Sequence, residues 1–77
     1  MNWSDKKEIK RALELLEEAN EIIESVRANE QEKYDNLPEN LQDGKPGGKF
    51  IDNMDALNEA DCDLAGVIEG LQSILDS

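Results

Sequence analysis

The chain has 77 residues, 19 acids against 8 bases, no histidine and one cysteine. That length holds one domain whose core is marginal on its own. The lone Cys62 excludes an internal disulfide, and without histidine the common zinc clusters are excluded too, which leaves self-association as the way to bury more surface. A net charge of −11 repels phosphate backbones and anionic membranes, so neither direct nucleic-acid binding nor membrane binding is expected, and no cofactor is called for.

The N-terminal MNWSDKKEIK lacks the apolar run of a signal peptide, and no stretch of about 18 apolar residues follows it. The expectation is a cytoplasmic protein, with which an unpaired thiol in a reducing compartment agrees. Trp3 stands ahead of the first helix. It is read as a lid over the open end of a helix pair, with an exposed anchor for a partner as the alternative.

The first helix is expected over residues 5–33. Ser4 and Asp5 are N-cap candidates, and Asp5 with Glu8 forms a capping-box pattern. On a heptad, Ile9, Leu16 and Ile23 take position a, while Ala12, Ala19 and Val26 take d. Leu13 adds an e position, and Leu15 and Ile22 add g. A two-helix seam needs only a and d, so the extra apolar positions widen the stripe enough to touch more than one neighbour.

A corner is expected over residues 34–43. Pro38 pushes Leu37 out of the helical region, so the first helix ends at or before Asn36. A short helical turn then runs from Pro38 to Gln42, capped by Asn36 or Leu37. Tyr34, Leu37 and Leu41 are expected to fold back and close the end of the pair. Residues 43–48, DGKPGG, are read as a loop and as the most mobile segment. They do not match a phosphate-binding loop, because Phe50 stands where Ser or Thr is required after Lys49.

A second helix is expected over residues 49–75, with Phe50, Leu57, Leu64 and Leu71 at a, Ala60, Val67 and Ile74 at d, and Met54, Ile68 and Leu75 at e. At ~1.5 Å per residue the two helices have similar lengths of about 40 Å. The fold class is therefore all-α: an antiparallel helical hairpin that pairs into a homodimeric four-helix bundle. Its core and dimer residues are Ile9, Leu13, Leu16, Ile23, Val26, Leu57, Leu64, Ile68 and Leu71. Gly66 and Gly70 each weaken the helix and read either as a close crossing or as a tolerated weak end.

Candidate chemistry is sparse. Glu18, Glu21 and Glu24 have E-x-x-E spacing, and Glu59 with Asp63 likewise places carboxylates on adjacent turns; all-α pyrophosphohydrolases hold magnesium with E-x-x-E and E-x-x-D pairs. In a chain this acidic the same spacing arises on an ordinary solvated face. Cys62 falls at heptad position f between Asp61 and Asp63, which suppress its thiolate. No catalytic or metal residue is assigned. After Lys49 the second helix has seven acids and no base, a pattern that serves solubility or imitates nucleic acid toward a basic protein.

The corner motif, Glu30-Gln31-Glu32, Tyr34-Asp35-Asn36-Leu37-Pro38-Glu39 and Leu41-Gln42, followed by Met54, Leu57 and Ala60, resembles a group of small acidic helical proteins of phages and prophages. Their pattern is E-Q-E-x-[FY]-D-N-[LM]-P-E-x-[LI]-Q with a following M-x-x-x-x-x-x-L-x-x-A helix start, whose methionine spacing is shortened here, and the preceding LELLEEANEIIESV is similar as well. Where that group commonly has S-E-R-G, this chain has DGKPGG. The resemblance implies a phage origin, hence the cytoplasm of a host cell, and a helical hairpin, with no enzymatic activity. The expected role is protein–protein interaction with a host or phage protein, antagonising a host factor, through Glu30, Gln31, Tyr34, Asp35, Asn36, Leu37, Pro38, Glu39 and Gln42. The alternatives are an acidic nucleic-acid mimic that blocks a basic host protein and a small-nucleotide sponge formed between protomers.

Overall fold

The first helix starts earlier than the capping-box pattern suggests. Asn2 is extended (φ −78°, ψ 171°), and its side-chain oxygen accepts the Asp5 N–H at 2.8 Å, so Trp3 becomes the first helical residue. Asparagine outcompetes Ser4 and Asp5 here because it satisfies an orphan amide one turn in. The computed structural model describes residues 1–77 as α1 (Trp3–Asp35), α2 (Glu39–Gln42) and α3 (Lys45–Asp76), with no strand. None of the helices is long and apolar enough to cross a membrane.

The chain reverses between α1 and α3 as the Leu37-Pro38 pair requires. Asn36 closes α1 by donating its N–H to Glu32 O at 3.0 Å. Pro38 then stands at the N-cap of α2 with φ −56° and ψ 146°, so the short helix starts at Glu39, one residue later than expected. Its carbonyl accepts the amides of Leu41 at 2.8 Å and Gln42 at 3.1 Å.

Residues 45–48, expected as part of a loop, are instead the first turn of α3. Gly44 supplies an extended N-cap, Pro46 comes with φ already suited to a first turn, and Gly48 donates to Gly44 O at 3.0 Å. No glycine in the chain has positive φ, so these glycines do not serve a left-handed turn. Gly47 serves a close approach. It is one of only two buried residues, and a Cβ there would overlap the Gln42 carbonyl. Glycine lets the start of α3 lie directly on the backbone of α2.

With α1 at 33 residues and α3 at 32, the hairpin is a rod of 58 × 15 × 13 Å. The side chains shielded between the long helices follow alternating steps of three and four. They are Ile9, Leu13, Leu16, Asn20, Ile23, Arg27, Glu30 and Tyr34 on α1, and Phe50, Met54, Leu57, Asp61, Leu64, Ile68, Leu71 and Leu75 on α3. In the heptad frame used above these are positions a and e, not a and d. Both choices alternate by three and four, but the a/e choice buries Leu13, Met54, Ile68 and Leu75, whereas a/d would bury the smaller Ala12, Ala19, Val26, Ala60 and Val67, with Ile74 as its one long side chain. The larger side chains remove more apolar surface from water. Val26, placed in the core from its spacing, is therefore 42% exposed.

A single rod makes a thin core. Leu13 is the one buried side chain, at 7% exposure. The accessible surface of 5687 Å² exceeds by about 1,000 Å² the roughly 4,700 Å² typical of a compact monomer of 8.6 kDa. The radius of gyration, 17.4 Å, likewise exceeds the ~11.5 Å of a compact domain of this length.

Two glycine substitutions should separate close approach from mere tolerance. Gly47→Ala is expected to lose about 1–3 kcal/mol of stability, because backbone must move to admit the methyl group. Gly66→Ala, with nothing within 4 Å of the added Cβ, is expected to gain up to about 1 kcal/mol from helix propensity alone. Urea unfolding followed by circular dichroism checks both.

Candidate interaction site

The corner residues divide between those that build the elbow and those that face outward. Gln42 donates its side-chain amide to Tyr34 O at 3.1 Å, so it ties α2 back to the last turn of α1. The same carbonyl accepts the Leu37 N–H at 3.0 Å. Gln31 donates to Asp35 at 2.9 Å along α1. Tyr34, Leu37 and Gln42 are half-buried, whereas Gln31, Asp35, Asn36, Pro38 and Glu39 are exposed. Leu41, expected to help close the end of the pair, is 38% exposed. The structure thus gives Asn36, Pro38 and Gln42 capping or tying roles and leaves Glu39 without a side-chain partner.

Glu30 belongs to the seam as much as to the corner. Asn53 of α3 donates to its carboxylate at 3.2 Å, and Lys33 lies 3.3 Å away along α1. The Asn53 hydrogen bond holds the Glu30 carboxyl below its usual range; partial desolvation opposes this, and Lys33 adds to it. One helical turn nearer the middle of the rod, Arg27 donates to Asn58 and lies 3.5 Å from Asp61. Asn20 continues the row, its side-chain oxygen shielded and without a hydrogen-bond partner. Apolar spacing alone misses this polar row. The signal was present, because Asn20, Arg27 and Glu30 continue the same three–four alternation as Ile9, Leu13 and Leu16. Such polar seam positions fix register at a cost in stability.

Of the predicted core set, Ile9, Leu13, Leu16, Ile23, Leu57, Leu64, Ile68 and Leu71 all lie in the seam. Most of the remaining apolar residues form a second stripe about 100° round each helix from the first, while Ala28, Ile51 and Ala65 lie on the other side. On α1 it runs through Ala12, Leu15, Ala19, Ile22 and Val26, and on α3 through Ala56, Ala60, Val67, Gly70 and Ile74. Because the helices are antiparallel, equal rotations in sequence bring both stripes to the same side of the hairpin. Val26 and Ala56 indeed line one groove of about 310 Å³, which Glu30, Asn53 and Leu57 complete. Leu15 is 49%, Ile22 59% and Val67 51% exposed there.

The opposite side is mixed. Glu24, Arg27, Gln31, Asp55 and Asn58 line its groove of about 460 Å³ together with Ala28, Met54 and the exposed Ile51. At the open end, Trp3 is 77% exposed and so is not the expected lid; the ammonium of Lys7 sits 5.4 Å from its ring centre. Lys6, Lys10 and Leu75 complete a small hollow there. Glu18, Glu21, Glu24, Glu59 and Asp63 are all exposed, and no group of three or more carboxylate or thiol side chains is placed to hold a metal. Cys62 is exposed on the outer side of α3. No family model, curated protein or solved structure matches the chain.

The lowered Glu30 value fixes the sign of one pH effect. A carboxyl depressed by folding adds stability that is present above its unfolded value and is lost as the pH falls below about 4.5 toward the folded value. Asn53→Ala should move the Glu30 carboxyl upward while Lys33→Ala moves it less, as read by an NMR titration of its side-chain carboxyl carbon.

Proposed function

We propose that the chain is a non-enzymatic interaction protein that works as a homodimeric four-helix bundle and binds a partner macromolecule through its corner. The observation that carries this reading is the second apolar stripe. Two antiparallel helices need one seam, and this chain has a full seam plus a three–four apolar stripe beside it on both helices, unbroken on α1 and interrupted on α3 by Asp63. A contiguous apolar face on a small acidic rod is costly unless covered. Two copies placed face to face cover it.

The dimensions support that use. A face 58 Å long and 15 Å wide projects on the order of 900 Å², close to the ~800 Å² per partner of a standard protein interface. The corner supplies the surface for a different partner, which the resemblance makes a host or phage protein. Glu39, Asp35 and Gln31 project there from backbone that the Gln42–Tyr34 tie and the Gly47 contact hold in place.

The charge of α3 favours a second reading. Past Lys49 it bears only acids, and Asp52, Asp55, Glu59, Asp63 and Glu69 are exposed. An acidic rod of this kind imitates a nucleic acid toward a basic protein.

Ile22→Glu is expected to give a helical monomer at micromolar concentration where the unaltered chain sediments as a dimer; a monomeric unaltered chain overturns the bundle. Glu39→Lys is expected to abolish capture of the partner from a host lysate while the dimer and its helicity persist. Capture that tolerates Glu39→Lys but falls steeply as salt rises toward 0.5 M (Debye length about 4 Å) favours the mimic instead.

A further inference from the structure

The symmetry of the bundle follows from the sizes of the side chains on the second stripe, an inference that rests on the dimer proposed above. The polar contacts of the seam fix which residues of the two helices stand at the same height. Arg27 meets Asn58 and Asp61, so heights on α3 run opposite to those on α1 from that point. Counting outward, Val26 stands level with Ala60, and Ala19 with Val67. One further turn brings Leu15 level with Gly70, and the last brings Ala12 level with Ile74.

Each of these levels combines one large and one small residue. Within a single chain the members of a level sit side by side on the face and do not fill each other's space; a Cβ added to Gly70 would meet nothing within 4 Å. A twofold axis parallel to the rod changes this. It keeps every height unchanged and lays α1 of one copy on α3 of the other. Val26, Val67, Leu15 and Ile74 then each meet a small residue, with Leu15 entering the space over the partner's Gly70; Ile22 is the exception and meets Asp63. The alternation matches the interdigitation that dense helix packing requires.

A twofold axis perpendicular to the rod makes a poorer fit. It lays α1 on α1 and α3 on α3, and at full overlap brings Asp63, the carboxylate in the middle of the α3 stripe, close to its own copy. Like charges facing each other across a partly desolvated seam repel. With the parallel axis Asp63 instead stands level with the partner's Ile22. We therefore propose that two hairpins associate side by side with both corners at the same end, the α1 stripe of each seated on the α3 stripe of the other and Leu15 packed over Gly70. In this arrangement the weak helical glycine at position 70 is the socket for a leucine knob.

Disulfide trapping in a Cys62→Ser background tests the axis. Protein carrying Leu15→Cys, mixed with protein carrying Gly70→Cys and mildly oxidised, should give cross-linked heterodimer at least about tenfold in excess over either self-linked product, because only the parallel axis brings those positions within disulfide reach. Ala19→Cys alone should not self-link. A dimer by sedimentation in which Ala19→Cys does self-link overturns the axis while leaving the bundle intact. An unaltered chain that is monomeric removes both. Gly70→Leu supplies an independent check: the added side chain meets open space in one hairpin, so helicity should persist while the dimer dissociates, and a surviving dimer overturns the Leu15 socket.

Discussion

The structure depends on the competition between two three–four stripes on each helix for one intrachain seam. Every other feature follows from which stripe wins. The winning stripe holds the larger side chains, with Leu13, Leu16 and Ile23 on α1 opposite Leu64, Ile68 and Leu71 on α3. The losing stripe has more alanine, with Leu15, Ile22, Val26, Val67 and Ile74 as its large members. Burial favours the first by the difference in apolar area, at roughly 25 cal/mol per Å². The second stripe is left as an apolar face.

The polar members of the seam add what apolar burial cannot. A row of leucines and isoleucines slides by one heptad at little cost. Arg27 against Asn58 and Asp61, and Glu30 against Asn53, oppose such a shift because it would strand charges against apolar neighbours. These contacts are partly solvated, so their net contribution to stability is small. Their effect is to make one height relation between the helices better than its neighbours, and that relation sets which large residue stands beside which small one on the outer face.

Much of this was readable from the sequence, and the misses have physical causes. The two long helices, their reversal at Leu37-Pro38 and most of the seam followed from spacing and from the restriction that proline places on its predecessor. The choice between a/d and a/e did not, because heptad periodicity is blind to a shift of one position when both stripes are apolar. The helical start at Lys45–Gly48 was missed because glycine signals a loop on average, whereas here Gly47 is required by the backbone of Gln42. Trp3 was misplaced because Asn2, not Asp5, caps the helix, which puts the indole on the first turn and in solvent. The outward corner residues were identifiable as a motif, but the sequence did not separate those that tie the elbow from those that project.

The tie from Gln42 to Tyr34 spans eight residues, whereas the contact of Arg27 with Asp61 spans 34. Closing a short loop costs less chain entropy than closing a long one, so the elbow can assemble before the rods have found each other. From that point each added turn extends an existing pairing, and closure runs from the bend toward the free ends in the manner of a zipper. The same order in reverse makes the ends the first part to fray. The indole of Trp3 stands at that end already in solvent, so fraying there uncovers little further aromatic surface.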